Sequence, residues 1–245
     1  MDYFNERFGR YDVRQQSEIP DYMPKDGLLY YDSLVKSRPS APTGQVYRTR
    51  TPGDGEAAND RLDFRTVRGK RCLYKSGSNN GLEFDLYPED GEHDTGSGDY
   101  TWGCWVCDVL GTCTGQRVFS LWNEDRSETN YLNFSDSNKK LVIVHYSVTE
   151  GRNIATSAYE KGEIVGEWRL IYGWHGSGWF GPRMPPLEDG VNLNSHLDTR
   201  IVPAIGVLLQ WPQCYGVAVR GAFAYNRVIT AEEGMAIYNG SKDEQ

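Results

Sequence analysis

Two segments of the sequence combine flat aromatic side chains with amide, carboxylate or guanidinium groups. Aromatic rings offer rigid contact area at a small cost in conformational entropy, and the polar groups can hydrogen-bond sugar hydroxyls. We therefore predict ligand-binding residues in two loops, 122–131 and 174–183, and the sequence leaves open whether the loops adjoin. These residues are Trp122, Asn123, Asp125, Tyr131, Trp174, His175, Trp179 and Arg183. The same residues could instead contact a neighbouring subunit, because Trp, Tyr and Arg are also the usual anchors of protein interfaces.

No catalytic motif accompanies these residues. The sequence contains no nucleophile elbow, phosphate-binding loop, dinucleotide-binding fingerprint or HExxH metal motif. Cys104 and Cys107 are spaced like zinc ligands, but a structural zinc site needs four ligands and no second pair of this kind is present. We predict a protein that is not an enzyme and has no catalytic residues.

The cysteines are odd in number, which excludes a framework in which every cysteine is disulfide-bonded. A free thiol within a strand behaves as a small apolar residue. We therefore favour buried free thiols, with a disulfide or a metal site as alternatives, for Cys72, Cys104, Cys107, Cys113 and Cys214.

Short runs of apolar, β-branched and aromatic residues predict β-strands along most of the chain. The most apolar segment, 139–148, is expected at the centre of a sheet. The segment 174–199 is rich in Gly and Pro and is expected to lack regular structure. The other strands are expected at 27–35, in two or three short pieces between 62 and 88, and at 100–108, 117–122, 129–134, 167–173 and 200–209.

The region 215–240 combines a strand with a short helix. Thr230 and Glu233 have the spacing of a capping box, in which each side chain bonds the backbone of the other residue. Asn239 and Gly240 are expected to end the helix, where a left-handed residue is favoured. Alternation predicts that one face of the strand is shared by Val217, Val219, Gly221, Phe223 and Tyr225.

This C-terminal region resembles the closing signature of laminin-G-like, concanavalin A-like jelly-roll domains, of the kind seen in phage virion proteins. The matching residues are the run Gly221–Glu233, with its alternating aromatics and its Asn-Arg-Val-Ile-Thr segment, and the later Tyr238-Asn239. Segments 101–106, 117–122 and 167–172 resemble earlier strands of the same family. The resemblance implies an all-β jelly roll over residues 27–245, with a short C-terminal helix and an opening strand that pairs near the last one. Residues 1–26, interrupted by Pro20 and Pro24, are expected to form an extended N-terminal arm.

The resemblance also raises two kinds of chemistry. Glucanases of this fold carry two carboxylates on one strand face in the pattern E-x-D-x-x-E, but the nearest match, 123–128, begins with Asn123 and has the sequence of a turn. Relatives also hold calcium at the rim of the sandwich with oxygen ligands. No cofactor is therefore certain, calcium is possible, and its candidate ligands are Asp85, Asp90, Asp94, Asp99, Asn123, Asp125 and Asp136.

Composition restricts the partners. The formal net charge is -8, which argues against a nucleic-acid-binding surface and against docking on anionic lipid. No apolar run approaches the roughly 20 residues of a membrane span, and the first residues have no signal-peptide pattern. We expect a protein made in the host cytoplasm and placed in a virion, with a cytoplasmic or non-classically exported protein as the alternative.

These observations lead to three hypotheses about function. The first is a non-enzymatic virion structural, decoration or fibre-type protein that displays a lectin-like domain. Its N-terminal arm would contact other virion or surface-assembly proteins in an oligomer or larger assembly, and its jelly roll would bind a cell-surface glycan. The second is a free-standing carbohydrate-binding module, and the third is a glucanase-like glycoside hydrolase.

Overall fold

The computed structural model describes residues 18–34, 47–50, 62–75, 82–88, 99–113, 117–122, 128–135, 139–147, 151–176, 179–186, 195–196, 208–211 and 216–244. Within them the chain is built almost entirely of antiparallel strands, with one α-helix near the C-terminus. This confirms the prediction of an all-β chain with a short C-terminal helix.

The elements follow one another in chain order as follows. The strands are β1 (Leu28–Asp32), β2 (Tyr47–Arg50), β3 (Leu62–Val67), β4 (Lys70–Lys75), β5 (Leu82–Pro88), β6 (Tyr100–Asp108), β7 (Arg117–Trp122), β8 (Glu128–Phe134), β9 (Lys140–Ser147), β10 (Gly151–Glu160), β11 (Arg169–Gly176), β12 (Trp179–Arg183), β13 (Ser195–His196), β14 (Leu208–Trp211) and β15 (Val217–Tyr225). A short 3-10 helix (Lys161–Ile164) precedes β11, and helix α1 (Ala231–Ser241) follows β15.

The strands form two sheets. The first has the order β13-β12-β11-β6-β15-β4-β3, with β1 also paired to β15, and the second has the order β10-β9-β8-β7-β14-β5-β2. The main core contains apolar side chains of both sheets, including Trp102 and Val106 of β6, Leu132 of β8 and Ile143 of β9. The sheets therefore pack face to face. The expected pairing of the opening strand with the last strand is confirmed by the β1–β15 register.

A β-bulge divides β15 and overturns the predicted alternation. Val217 and Val219 face the main core, whereas Phe223 and Tyr225 belong to the cluster on the opposite face of the sheet. The β6 register shifts between Arg220 and Phe223, and Gly221 has a φ of 56°. A bulge adds one residue to the strand, so all later side chains exchange faces. The strand is therefore buried on both faces rather than half-buried.

Three other strand predictions need correction. The segment 174–199 is not irregular throughout, because β11 continues to Gly176 and forms a hairpin with β12. The apolar strand β9 lies beside the edge strand β10 rather than at the centre of its sheet. Of the strand expected at 200–209, residues 208–211 form β14 and the remainder lies outside the described residues.

The segment 18–26 packs onto the domain rather than extending away from it. Met23 is only 2% exposed, and Ile19 and Tyr22 pack against the same outer-face cluster. The Tyr22 hydroxyl donates a hydrogen bond to Glu244 Oε1 at 2.7 Å. Burial raises the pKa of this hydroxyl well above its usual value, so it stays protonated as a donor. The part of the predicted arm at residues 1–17 lies outside the described residues.

Helix α1 begins at the predicted capping box. The Thr230 hydroxyl accepts from the Glu233 N–H at 3.2 Å, and the Glu233 carboxylate accepts from the Thr230 N–H at 2.8 Å. The helix does not end at Asn239 and Gly240, because it continues to Ser241 with a right-handed cap. A Cβ at Gly240 would overlap the ring of Tyr22. Glycine at this position therefore gives space for the docked N-terminal segment.

The Glu233 carboxylate also predicts how stability depends on pH. Bidentate hydrogen bonds from Arg227, each 2.7 Å long, lower the pKa of Glu233. Because the folded-state pKa lies below the unfolded one, the stabilisation is present above the unfolded pKa and is lost as the pH falls through the folded pKa. Glu233→Gln should reduce the free energy of unfolding by about 1–2 kcal/mol at pH 7.

Urea unfolding of both proteins across the acid range measures this effect. The difference between wild type and variant should shrink below roughly pH 4. The control is Glu18→Gln, which removes an exposed carboxylate and should change little at any pH. A difference that stays constant through the acid range would contradict the assigned role of Glu233.

The thiols largely follow the favoured prediction. Cys72, Cys104 and Cys107 are free and buried. Cys113 is disulfide-bonded, so the disulfide alternative applies to it. Burial raises the pKa of the Cys104 thiol, and it raises that of Cys107 to about 11 against the opposing charge of Arg68. Both thiols are therefore neutral at physiological pH and unsuited to nucleophilic chemistry.

Candidate functional site

A cavity opens on the outer face of the first sheet, beside the C-terminal end of α1. Its volume is about 360 Å³, within the usual range for small-ligand sites. We call it the helix-side pocket, and it is lined by Arg68, Trp105, Gly166, Glu167, Trp168, Tyr238, Lys242 and Asp243. The lining comes from the β3–β4 turn, from β6, from the segment before β11 and from the end of α1.

Three aromatic rings form the apolar part of this pocket. Trp105 stacks on Tyr238, with ring centroids 5.6 Å apart and planes inclined by 24°. The Trp105 indole N–H donates to Ser241 Oγ at 2.8 Å, and that of Trp168 donates to the Val67 carbonyl at 3.0 Å. Trp105 is only 5% exposed, whereas Trp168 and Tyr238 are half-buried. The indole rings are therefore fixed by their N–H groups, and Trp168 and Tyr238 can offer accessible surface.

The segment carrying Gly166 and Trp168 is held on β6 by hydrogen bonds. The Gly166 N–H donates to the Asp108 carbonyl at 3.0 Å. The buried Asp108 carboxylate accepts from the N–H groups of Thr112 and Cys113 at 3.2 and 2.9 Å. Ile164 is fully buried in the main core. These contacts fix the pocket wall from beneath, so its shape is present before any ligand binds.

Four charged side chains complete the pocket, and they do not neutralise one another. Within the described part of the chain, Arg68, Glu167, Lys242 and Asp243 form no salt bridge. The Lys242 ammonium lies 5.7 Å from the ring centroid of Tyr238 and donates weakly to Asn239 Oδ1 at 3.4 Å. Cations and carboxylates that line a cavity without pairing are available to a polar ligand.

The predicted residues of segment 174–183 lie elsewhere on the first sheet. Trp174 and His175 are buried within β11, at 9% and 6% exposure. The Arg183 guanidinium lies 5.4 Å from the centroid of Trp174, and His175 packs against Tyr100. Trp179 pairs with Gly176 across the hairpin. The structure therefore brings Trp174 and Arg183 together, but in a buried strand pair rather than in the exposed loop that was expected.

The predicted residues of segment 122–131 belong to the second sheet. Tyr131 is 8% exposed and packs with Val142 and Val144 in a cluster separate from the main core. Trp122 lies opposite Thr129 in the β7–β8 register. Asn123 and Asp125 lie outside the described residues. The two predicted segments are thus on different sheets, and the described residues do not form one surface from them.

The residues of the helix-side pocket were missed because no short segment contains them. Trp105 and Trp168 stand in predicted strands, where an aromatic residue is ordinarily a core residue. Arg68 and Gly69 between two short strands were a usable signal, since a hairpin turn was predictable there. The partners from the segment before β11 and from α1 have no sequence relation to that turn.

Metal chemistry finds no support in the part of the chain that the structure describes. There, no group of three or more His, Cys, Asp or Glu side chains could hold a metal ion. Of the calcium candidates, Asp99 is half-buried beside β6, and only the backbone of Asp85 is described, in β5. The others, Asp90, Asp94, Asn123, Asp125 and Asp136, lie outside the described residues. Calcium binding remains a prediction.

The helices that the structure describes were compared with the requirements for crossing a membrane. None of them combines the length and apolarity needed to cross a lipid bilayer.

Comparison with known proteins identifies the fold. No protein-family model matches the chain, and no curated protein sequence matches it. A solved structure of the botulinum neurotoxin serotype D binding domain matches with a TM-score of 0.64 and 10% identity, over 89% of this chain and 52% of that one. The serotype D ligand-binding domain in complex with N-acetylneuraminic acid gives 0.61 and 9%, over 89% and 52%. The neurotoxin DC binding domain in complex with rat synaptotagmin II gives 0.62 and 10%, over 88% and 52%.

These matches define a class of fold. At identities of about one residue in ten the likeness concerns the fold alone, and the chain spans about half the length of the matched chains. The protein therefore has an all-β fold that also occurs in toxin receptor-binding domains.

Proposed function

We propose that this protein is a non-enzymatic recognition domain that binds carbohydrate, and that the helix-side pocket is its binding site. One observation carries the proposal: in that pocket, fixed aromatic rings adjoin charged side chains that form no salt bridge with any residue that the structure describes. Sugars present apolar ring faces and a rim of hydroxyl groups, so they suit stacking surfaces edged by hydrogen-bonding groups. The buried, neutral thiols and the unmatched carboxylate motif support a role without catalysis.

The solved structures with this fold support recognition rather than catalysis. One is a complex with N-acetylneuraminic acid, one with SialylT and one with a protein, rat synaptotagmin II. The jelly-roll topology expected from the sequence belongs to the same proposal, and the two face-to-face antiparallel sheets support it. The carbohydrate-binding module is thus the hypothesis that the pocket geometry favours.

Substitution of Tyr238 tests the stacking surface. Tyr238→Ala should weaken saccharide binding about tenfold, because losing the buried ring contact costs roughly 1.4 kcal/mol. Tyr238→Phe retains the ring and should bind nearly as well as wild type. Titration calorimetry measures both affinities, using a saccharide found on a glycan array that is probed with the full-length protein.

The array itself separates the outcomes. Binding that is unchanged in both Tyr238 variants would place the ligand elsewhere on the protein. An array without any bound glycan, with calcium and with EDTA, would contradict carbohydrate recognition altogether. Loss of binding in EDTA alone would instead support the predicted calcium site.

Display on a phage or virus particle is a further part of the proposal. The family resemblance of the C-terminal region supports it, and residues 1–17 are the segment left for attachment, because residues 18–26 pack onto the domain itself. A variant lacking residues 1–17 should remain folded and fail to enter particles. Normal incorporation of that variant would contradict attachment through the arm.

A further inference from the structure

We propose that the helix-side pocket selects saccharides that carry a carboxylate, and that Arg68 is the residue that binds this group. This inference rests on the proposed function, because it specifies the ligand of the same pocket. It depends on three observations about Arg68: its backbone conformation, its position in the pocket and its lack of a salt bridge to any described residue.

The backbone of Arg68 adopts an unfavourable conformation. Arg68 and Gly69 form the two-residue turn between β3 and β4, closed by the Val67–Lys70 pair. Their φ angles are 48° and 78°, as in a type I′ turn, whose central positions favour Asn, Asp and Gly. Arginine in the left-handed region is disfavoured by contact between its Cβ and the backbone. An unfavourable residue in a strained turn is a reason to look for a function of its side chain.

The Arg68 guanidinium lies directly against the opposite wall of the pocket. A Cβ on Gly166 would be 3.1 Å from Nη2, 3.8 Å from Cζ and 4.0 Å from Nε of Arg68. Gly166 has a φ of 72° and is held by its hydrogen bond to Asp108. The absence of a side chain at Gly166 therefore lets the guanidinium lie over this segment. The hydrogen bond from Trp168 to the Val67 carbonyl joins the same turn to the same segment.

The guanidinium has no carboxylate partner in the described part of the chain. Glu167 and Asp243 line the same pocket, but neither forms a salt bridge with it. A guanidinium presents forked N–H donors that match a carboxylate in a bidentate arrangement. Lys242 adds a second positive charge to the pocket. A ligand carboxylate would therefore form the salt bridge that Arg68 makes with none of the described residues.

The remaining lining groups indicate that the rest of this ligand is a sugar. Trp168 and Tyr238 supply ring surfaces, and the carboxylates of Glu167 and Asp243 can accept hydrogen bonds from hydroxyls. A simple anion would use the cations and leave these other groups without a role. The pocket chemistry is thus that of an acidic saccharide rather than of an isolated carboxylate or phosphate.

Arg68→Asn separates recognition from folding. Asparagine is favoured at this turn position, so the variant should be at least as resistant to urea as wild type. Its affinity for 3′-sialyllactose, measured by titration calorimetry on the full-length protein, should fall at least tenfold. Wild type should bind lactose, which lacks the acidic sugar, at least tenfold more weakly than 3′-sialyllactose, and Arg68→Asn should bind the two equally.

Arg71→Asn is the matched control. Arg71 is an exposed arginine of β4, three residues further along, and does not line the pocket. The control makes the same change in net charge, so its affinity for 3′-sialyllactose should stay within twofold of wild type. Equal losses in both variants would indicate a general charge effect and overturn the role of Arg68.

Three other results would overturn the inference in different ways. Equal affinities of wild type for lactose and 3′-sialyllactose would refute acidic selectivity while leaving carbohydrate recognition intact. A blank result with both sugars, on a glycan array and in calorimetry, would refute carbohydrate recognition and this inference together. An Arg68→Asn protein that loses stability but keeps its affinity would show that Arg68 is structural.

Discussion

Replacing Gly103 by alanine is expected to destabilise the domain by about 3 kcal/mol, the upper end of the cost of overpacking a core. Gly103 lies in β6, between β11 and β15, opposite Tyr172 and Phe223. An added Cβ would be 2.6 Å from the Ile171 carbonyl oxygen, 2.8 Å from Phe223 Cζ and closer still to Tyr172 Cβ. Two of these contacts are with backbone or Cβ atoms of a paired strand, which cannot move without breaking the sheet.

Urea unfolding measures this effect, with Gly162→Ala as the control. A Cβ at Gly162 would have no atom within 4 Å, so this variant should differ from wild type by less than about 0.5 kcal/mol. A similarly small change in Gly103→Ala would mean that the first sheet adjusts at its centre, and the close packing of β6 against β11 would have to be reconsidered.

Removing residues 1–26 should destabilise the domain by about 4 kcal/mol relative to a variant that lacks only residues 1–17. The longer deletion exposes the cluster surface covered by Met23, Ile19 and Tyr22. Loss of the buried Met23 side chain costs about 1.5–3 kcal/mol, and the partly buried Ile19 and Tyr22 contribute less each. It also removes the Tyr22 hydrogen bond to Glu244. The side-chain carboxylate and the backbone carbonyl of Glu244 accept hydrogen bonds from the buried Arg220 guanidinium.

The two truncations are compared by thermal and urea unfolding. Met23→Ala in the full-length protein provides an intermediate case, with an expected loss of about 2 kcal/mol, the lower end of the range for a buried methionine. If the longer truncation were as stable as the shorter one, the segment 18–26 would be a dispensable arm, as its sequence first suggested. A particle-incorporation experiment should therefore use the shorter deletion, because a protein lacking residues 1–26 could fail to enter particles through lost stability rather than through lost attachment.

Local patterns in the sequence were enough to define many of the elements. Short runs rich in aromatic and aliphatic residues located β6, β7 and β8 to within a residue or two, because strand propensity depends on neighbouring residues along the chain. The capping box of Thr230 and Glu233 was readable for the same reason, since both partners lie within one turn of helix. Net charge and the absence of catalytic motifs also needed no structure, because they are properties of composition and spacing.

Only the tertiary structure decided which faces these elements present. The bulge at Gly221 moved the later side chains of β15 to the opposite face of the sheet. The docking of residues 18–26 required a glycine on helix α1, Gly240, which is more than two hundred residues away in the chain. Trp174, expected on a loop, is buried because β11 continues through it.

The helix-side pocket is the clearest example of a feature that local sequence patterns do not predict. Its lining comes from residue 68, from residue 105, from residues 166–168 and from residues 238–243. Each of these segments has the sequence of an ordinary strand, turn or helix. They form a pocket only because strand pairing and helix packing between distant parts of the chain bring them together. Sequence determined the pieces, because propensity and alternation act over a few residues, whereas the site depends on contacts between residues far apart in the chain.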